Sequence, residues 1–230
     1  MKKIKELFNK YGIEINEMQI EQFDKYFKNL IETNKVLNLT AITEENDVLV
    51  KHFLDSVLPI KLFKEKSTIV DVGTGAGFPA LPIKIIRPDL KITMVDSLNK
   101  RITFLNSVIK ENDLKEIHAI HARAEDFAKN NREKYDYAVA RAVAQLNTLV
   151  EYLLPLIKVG GQAIIYKSSK IEEEVLNAKN AINILGGKIQ KIHQFDLEGL
   201  ERNILVIKKI KETPKKYPRD KNKPKLLPIV

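Results

Sequence analysis

A glycine-rich turn separates a predicted strand from a predicted helix in the first half of the chain. Residues 68–72 form an apolar run, and residues 80–86 have a helical pattern. Between them, Gly73, Gly75 and Gly77 alternate with other residues. Glycine allows positive φ and lets the backbone approach a ligand without contact from a Cβ atom. Because such a turn lies at the carboxyl edge of a parallel sheet, the sequence predicts a nucleoside site there.

After residue 67, short apolar runs alternate with helical segments, which is typical of βαβ units and a largely parallel sheet. The segment between the last two runs is too short for a right-handed crossover, so these two strands should form an antiparallel hairpin. We therefore expect an α/β fold whose seven-stranded mixed sheet resembles that of the Rossmann-like class I S-adenosylmethionine methyltransferases. The predicted strands are residues 68–72, 91–96, 117–121, 135–140, 162–167, 188–195 and 202–208.

Helical patterns fill the N-terminal part of the chain. Apolar residues predict helices over about residues 4–11, 17–33 and 47–60, and Asn16 with Gln19 can cap the second helix. These helices form an extension in front of the sheet-forming part. The sequence thus divides into an N-terminal helical extension, a nucleoside-binding domain and a basic tail, at residues 1–62, 63–210 and 211–230.

Positive charge is concentrated near the C-terminus. The chain carries a formal charge of +9, and residues 208–225 contain nine basic and two acidic residues, a net of +7. A basic segment of this kind binds polyanions through counterion release, although a disordered, solubilising end has the same composition. The prolines in the tail predict that it forms no regular helix or strand; they are Pro214, Pro218, Pro224 and Pro228.

The composition excludes several classes of protein. The chain has no cysteine, which rules out disulfides, thiolate metal sites and a cysteine nucleophile. No run approaches the roughly 18 apolar residues of a membrane span, and Glu6, Asn9 and Lys10 interrupt the apolar stretch that a signal peptide needs. We expect a cytoplasmic monomer with no membrane segment and no metal site.

Acidic residues near the turn indicate which nucleoside it binds. Asp96 ends the second predicted strand, where a carboxylate can accept both ribose hydroxyls. Asp71 would repel a pyrophosphate but would favour a ligand with an ammonium and a sulfonium group. Phe78 stands where the dinucleotide fingerprint requires a small residue. The pattern therefore favours S-adenosylmethionine over NAD. Glu125, which follows the third predicted strand, is expected to contact the adenine.

Residues that this chain lacks limit which atoms it can methylate. Methylation of pyrimidine C5 normally requires a cysteine adduct, and this chain has no cysteine. Methyltransferases acting on exocyclic amines carry Asn or Asp, two prolines and an aromatic residue after the fourth strand, where this chain has Ala140-Arg141-Ala142. A target that is already nucleophilic, such as guanine N7, remains. Arg141 could hold a cofactor carboxylate, a phosphate or the guanine itself.

Short motifs occur in order along the whole chain. They are Asn38-Leu39-Thr40, His52-Phe53-Leu54-Asp55-Ser56, the segment from Asp71 to Pro82, Val95-Asp96-Ser97, Lys100-Arg101, Arg123 to Glu125, Ala140-Arg141-Ala142, Tyr166-Lys167 and Tyr217-Pro218-Arg219. Their order and spacing resemble the bacterial 16S rRNA guanine-N7 methyltransferases, the glucose-inhibited division protein B family. Two positions depart from the family pattern: Ala80 replaces a usual glycine, and the residues after Arg219 differ from those of most relatives.

The resemblance implies S-adenosylmethionine as cofactor and, as substrate, a guanine in the decoding-region hairpin of 16S ribosomal RNA, either naked or in the small ribosomal subunit. It also implies cofactor contacts by Gly73, Phe78, Ala124, Glu125 and Arg141. The turn and the second strand add Gly75 and Asp96 to the predicted cofactor site.

Basic residues at or beyond the sheet edge are candidates for contact with RNA phosphates, although solvated surface cations have the same pattern. For His52, packing or substrate positioning is favoured over acid-base chemistry, because N7 methylation needs no base. A small-molecule methyltransferase is the main alternative function, followed by a non-catalytic nucleoside-binding module and an NAD-dependent enzyme. The RNA candidates are Lys100, Arg101, Lys167 and Arg219.

Overall fold

Alternate residues of the first strand pack on opposite faces of one sheet. In the computed structural model, which describes residues 3–168 and 171–230, Ile69 belongs to a hydrophobic cluster with the N-terminal helices. Val70 and Val72 belong to a second cluster on the other face. Successive side chains of a strand point to opposite faces, and here both faces are buried. This is why the central strands read as continuous apolar runs in the sequence.

The sheet has seven strands in the order β3-β2-β1-β4-β5-β7-β6. The first five are parallel, whereas β7 is antiparallel to both β5 and β6. The predicted mixed sheet and its terminal hairpin are therefore confirmed. The strands are β1 (Thr68–Val72), β2 (Lys91–Asp96), β3 (Ile117–His121), β4 (Tyr135–Arg141), β5 (Ile157–Lys167), β6 (Gly187–Leu197) and β7 (Leu200–Lys209).

Helices cover both faces of the sheet. The clusters place α1, α2, α4, α5 and α6 on one face and α7, α8 and α9 on the other. The helices are α1 (Ile4–Lys10), α2 (Glu17–Leu37), α3 (Glu45–Val48), α4 (Asp55–Val57), α5 (Ala80–Ile86), α6 (Asn99–Glu111), α7 (Ala124–Asn130), α8 (Leu146–Leu153), α9 (Ile171–Ile184) and α10 (Lys223–Leu226). No helix within the described ranges is long and apolar enough to cross a membrane.

The N-terminal helices share their hydrophobic core with the sheet. Asn16 and Gln19 form the predicted capping box at the start of α2. The helix continues one turn beyond the predicted end and stops at Asn38, whose φ of +49° breaks the helical path. Phe23 and Tyr26 on α2 are fully buried against the ring of Phe53. The extension is therefore packed onto the sheet domain and not separated from it.

The segment predicted as a helix over residues 47–60 is helical but changes its hydrogen-bonding pattern along its length. It consists of α3, a π-helical turn from Leu49 to Leu54, α4 and a 3₁₀ turn from Ile60 to Leu62. The predicted helical stretch is confirmed, but its π-helical middle was not predicted, because apolar periodicity does not distinguish an α-helical from a π-helical turn. Turns of the π type are frequent at functional sites, and this one carries His52.

The basic tail is ordered, and the expectation that it forms no regular element was wrong. Residues Lys223–Leu226 form the short helix α10, with Pro224 in its first turn, where the missing amide hydrogen costs no helical hydrogen bond. Tyr217 and Pro224 are buried, and α10 contacts α8. The prolines therefore shape the tail without preventing it from packing.

Candidate functional site

The glycine-rich turn joins β1 to α5 at the carboxyl edge of the sheet. The Gly73 N–H donates to the Val95 carbonyl at 2.8 Å, so the turn is fixed to the neighbouring strand β2. Gly73, Gly75 and Gly77 have φ of +72°, +62° and +97°. A Cβ atom on Gly73 would lie 2.7 Å from a methyl group of Val143, whereas one on Gly75 would meet no atom within 4 Å. The turn therefore requires glycine at position 73 and leaves open space beside Gly75.

Asp71 lies beneath the turn and not in a cavity. Its carboxylate is fully buried and accepts hydrogen bonds from the Thr74 hydroxyl at 2.7 Å and the Ala80 N–H at 3.2 Å. Burial raises the pKa of Asp71 to about 7. The attraction of a cationic ligand by Asp71, predicted from its place near the strand end, stays a prediction; in the structure the carboxylate faces the turn and not open space. Asp71 instead fixes the two ends of the turn.

Two adjoining cavities, each of about 540 Å³, open on either side of the turn. We call them the Asp96 cleft and the Arg141 cleft. Gly73, Arg101 and Ala142 line both. The volumes fall within the roughly 300–1,000 Å³ of typical small-molecule sites. A ligand in one cleft can therefore meet a ligand in the other beside Gly73.

Asp96 anchors the first of these cavities. Its carboxylate is buried and accepts hydrogen bonds from the N–H groups of Gly75 at 2.9 Å and Leu98 at 3.0 Å. The Arg101 guanidinium lies 3.1 Å from the same carboxylate. The same guanidinium nitrogen lies 3.4 Å from the other oxygen, so each oxygen of Asp96 accepts two hydrogen bonds, and a ligand donor would compete with Arg101. The remaining walls come from the start of α7, with Ala124 and Glu125, and from the tail, with Asn222 and Lys225.

Arg141 organises the second cleft. Its guanidinium donates to the Asp55 carboxylate at 2.6 Å and to the Lys51 carbonyl in the π-helical turn at 3.2 Å. It also lies 5.0 Å from the centre of the Phe78 ring, a cation–π contact. Arg202 approaches the other oxygen of Asp55 at 3.2 Å. Arg141 and Phe78 therefore line a different cavity from Asp96, Ala124 and Glu125.

The His52 side chain in the Arg141 cleft is neutral and is hydrogen-bonded at both ring nitrogens. Its ring stacks on Phe78 with centroids 4.4 Å apart. Burial and the charge of Arg141 lower the pKa of His52 to about 4. Arg141 can only donate, so the Nδ1 atom 3.3 Å away accepts, and Nε2–H donates to the Thr40 hydroxyl at 2.8 Å. Neither ring nitrogen is free to take up a proton.

Comparison with known proteins identifies the family. The profile described as GidB, rRNA small subunit methyltransferase G, matches residues 19–205. The chain is 48% identical to ribosomal RNA small subunit methyltransferase G of Lactobacillus acidophilus, covering 96% of this chain and 95% of the relative. It is 51% identical to the protein of that name from Alkaliphilus oremlandii, with coverages of 95% and 94%. The chain belongs to the rRNA small subunit methyltransferase G family.

A solved structure also has this fold. It is M. jannaschii TYW2 in complex with AdoMet, with a TM-score of 0.55, 15% identity and coverages of 68% of this chain and 77% of that chain. The predicted class I methyltransferase fold is therefore confirmed. S-adenosylmethionine is the cofactor of this methyltransferase. Within the described ranges, no group of three or more His, Cys, Asp or Glu residues is arranged to hold a metal ion.

The four basic residues predicted to contact RNA have protein partners. Lys100 donates to the Leu37 carbonyl and Arg101 pairs with Asp96. Lys167 pairs with Glu174 at 2.5 Å and Arg219 with Glu151 at 2.7 Å. Lys100 is the most exposed of the four. Only Arg101 and Lys167 line the Arg141 cleft.

Sequence reasoning assigned no role to several residues of the two clefts. Asp55 and Arg202 hold Arg141 in place, although they are far apart in the sequence. Asn222 and Lys225 line the Asp96 cleft from the tail. No local pattern predicts these positions, because each depends on contacts between distant elements. For Asp55 there was a signal, since it belongs to one of the motifs shared with the family.

Proposed function

We propose that this methyltransferase transfers the methyl group of S-adenosylmethionine to N7 of a guanine in small-subunit ribosomal RNA. Family membership supports the rRNA substrate. The choice of N7 rests on the side chains of the Arg141 cleft that could act as a base. Among the described lining residues, each of these side chains already has a hydrogen-bond or ion-pair partner. The target guanine is proposed to lie in the decoding-region hairpin, in naked RNA or in the small subunit.

In this proposal the cofactor occupies the Asp96 cleft. The Asp96 carboxylate would accept ribose hydroxyls, and the first turn of α7, at Ala124 and Glu125, would meet the adenine. The open space at Gly75 would admit the part of the cofactor that reaches toward the Arg141 cleft. The fit is supported by the Asp96 carboxylate at the end of β2, from which a ribose hydroxyl could displace Arg101, and by the lack of a side chain at the two glycines.

The Arg141 cleft suits a nucleophile that needs no deprotonation. Its two carboxylates are ion-paired, Asp55 with Arg141 and Glu174 with Lys167. Both nitrogens of His52 are hydrogen-bonded. The Tyr166 hydroxyl donates to the Ser56 carbonyl, and burial raises the pKa of Tyr166 well above its usual value. Guanine N7 has a free lone pair and is a hydrogen-bond acceptor at neutral pH, so it needs no base.

Catalysis in this arrangement is mainly positioning. When bound, the cofactor would supply an electrophilic methyl group, and guanine N7 would supply the lone pair that accepts it. The cations of the Arg141 cleft would hold the guanine in line with that methyl group. Gly73, at the junction of the clefts, allows the two reactants to approach.

Contacts with the rest of the RNA are proposed for the basic residues around the clefts. Lys100 and Arg101 lie on α6 beside the Asp96 cleft, and Lys167 lines the Arg141 cleft. Arg219 would contact RNA only by giving up part of its pairing with Glu151. We also propose that the protein acts as a monomer.

The test uses two RNA substrates that differ at one atom. Purified protein and cofactor labelled on the methyl group are incubated with 16S RNA or small subunits, and with RNA in which guanosine is replaced by 7-deazaguanosine. We expect label in the first RNA, recovered as 7-methylguanosine, and none in the second. Equal labelling of both would exclude N7 as the target, and labelling of neither RNA nor subunits would exclude this rRNA activity.

A further inference from the structure

The C-terminal segment of residues 213–226 runs from the end of the sheet domain across α7 and α8 to the Asp96 cleft. Its first part is held by Arg132, whose guanidinium donates to the carbonyls of Thr213 and Tyr217. Tyr217 is 8% exposed and joins the hydrophobic cluster on this face of the sheet. We call residues 213–226 the C-terminal strap.

A buried ion pair fastens the strap to α8. The Glu151 carboxylate is completely buried and accepts hydrogen bonds from the Arg219 side chain, with Nε to Oε1 at 3.0 Å and Nη2 to Oε2 at 2.7 Å. The Arg219 backbone N–H also donates to Oε1, at 2.8 Å. Two parallel bonds from one guanidinium fix its orientation as well as its position. Arg219 therefore orders the strap, and its charge is neutralised inside the protein.

Beyond this ion pair, the strap reaches the cavity itself. The Asn222 N–H donates to Oε1 of Glu125 at 3.3 Å, and the Thr148 hydroxyl donates to the Pro224 carbonyl at 3.0 Å. Asn222 and Lys225 then line the Asp96 cleft together with Ala124 and Glu125. The wall of the cleft opposite the glycine-rich turn is thus built partly from the strap.

We propose that the strap is part of the nucleoside site, with Asn222 and Lys225 contacting the adenosine end of the cofactor and the Arg219–Glu151 pair keeping them in place. This inference rests on the proposed location of the cofactor in the Asp96 cleft. It assigns the basic tail a role in cofactor binding that is separate from RNA binding. The apparent affinity for a ligand falls in proportion to the fraction of molecules in the competent state, so releasing the strap weakens cofactor binding.

The test measures binding of S-adenosylhomocysteine to the full-length chain by calorimetry. Arg219→Ala releases the strap, and Lys225→Ala removes a lining side chain. Lys223→Ala is the matched control, because Lys223 is an exposed strap cation that lines neither cleft. We expect Kd to rise roughly tenfold for Arg219→Ala and several-fold for Lys225→Ala, with little change for Lys223→Ala. Normal S-adenosylhomocysteine affinity in Arg219→Ala, with or without weaker RNA binding, overturns the inference.

A second measurement avoids the variants, since Arg219→Ala leaves the buried Glu151 unpaired and could disturb the fold. Limited trypsin digestion of the unmodified protein reports cleavage after Lys221 and Lys225. Saturating S-adenosylhomocysteine should slow cleavage at these sites but not after the exposed Lys5 of α1. Equal rates with and without ligand, in protein shown to bind it, overturn the inference. If the ligand binds but Asp96→Ala does not weaken it, the proposed location of the cofactor in the Asp96 cleft fails instead.

Discussion

At the scale of single residues, Gly75 tests whether the cofactor reaches from the Asp96 cleft into the Arg141 cleft, which Gly75 lines. A Cβ atom there would meet no protein atom, so only a bound ligand can oppose Gly75→Ala sterically. We expect this variant to lose at least about tenfold in S-adenosylhomocysteine affinity in calorimetry, which corresponds to roughly 1.4 kcal/mol.

The control for this prediction is Gly160→Ala. Gly160 also has positive φ, +92°, and open space at its Cβ position, but it lies at the start of β5, away from both clefts. Both variants should lose roughly 1–2 kcal/mol of stability from the left-handed backbone conformation. Similar affinities in the two variants would place the ligand elsewhere.

Asp71 gives a prediction about pH. Burial raises the pKa of its carboxyl from 3.8 to about 7. For an acid whose pKa is higher in the folded state, the stabilising contribution is present below the unfolded pKa and is lost as the pH rises through the folded value. The unfolding free energy of the unmodified protein should therefore fall by a few kcal/mol between about pH 4 and 7 relative to Asp71→Asn. Urea unfolding at several pH values measures this difference, and parallel pH profiles for the two proteins would contradict it.

At the scale of elements, one arginine joins the end of β4 to the π-helical turn. The guanidinium of Arg141 binds a backbone carbonyl of the turn and the buried Asp55. Lysine keeps the charge but lacks the planar fork that binds several acceptors. Arg141→Lys should therefore cost about 2–3 kcal/mol in urea unfolding and reduce methyl transfer.

Arg202→Lys is the comparison for that variant. Arg202 also pairs with Asp55, but only its Nε atom is close, 3.2 Å from Oδ1. Its side chain is more exposed than that of Arg141. Its replacement should cost less than about 1 kcal/mol. If both variants lose the same stability, the fork of Arg141 is not what holds the π-helical turn.

Elements also differ in how well the sequence predicts them. The central strands were predictable because both faces of the sheet are buried there, and the β6–β7 hairpin followed from the short connection. The π-helical turn was not, since its apolar spacing resembles that of an α-helical turn and its contact with Arg141, through the Lys51 carbonyl, joins residues far apart in the sequence. The glycine-rich turn and Asp96 were recognisable from local spacing. The buried position of Asp71 and the pairing of Arg219 with Glu151 depend on tertiary packing, which residue type alone does not reveal.

At the scale of the whole molecule, the N-terminal helices and the sheet form one hydrophobic cluster. Phe8 on α1 is fully buried, with its ring 5.4 Å from that of Phe23 on α2, and both belong to the cluster that contains Ile69 and Met94 of the sheet. Because these buried contacts connect the N-terminal helical extension to the sheet, we expect the extension and the sheet to unfold together. Two-state unfolding means that different probes follow a single transition.

Phe8→Ala tests that expectation far from either cleft. Removing a buried phenylalanine side chain costs about 3–5 kcal/mol, and the loss should shift the whole transition. Far-UV circular dichroism and S-adenosylhomocysteine binding, followed in the same urea series, should move together to lower urea. Leu176→Ala on α9 is the control, since Leu176 is 72% exposed and its removal should leave both midpoints nearly unchanged. If the circular dichroism signal were lost at lower urea while ligand binding kept its original midpoint, the extension would unfold independently of the sheet.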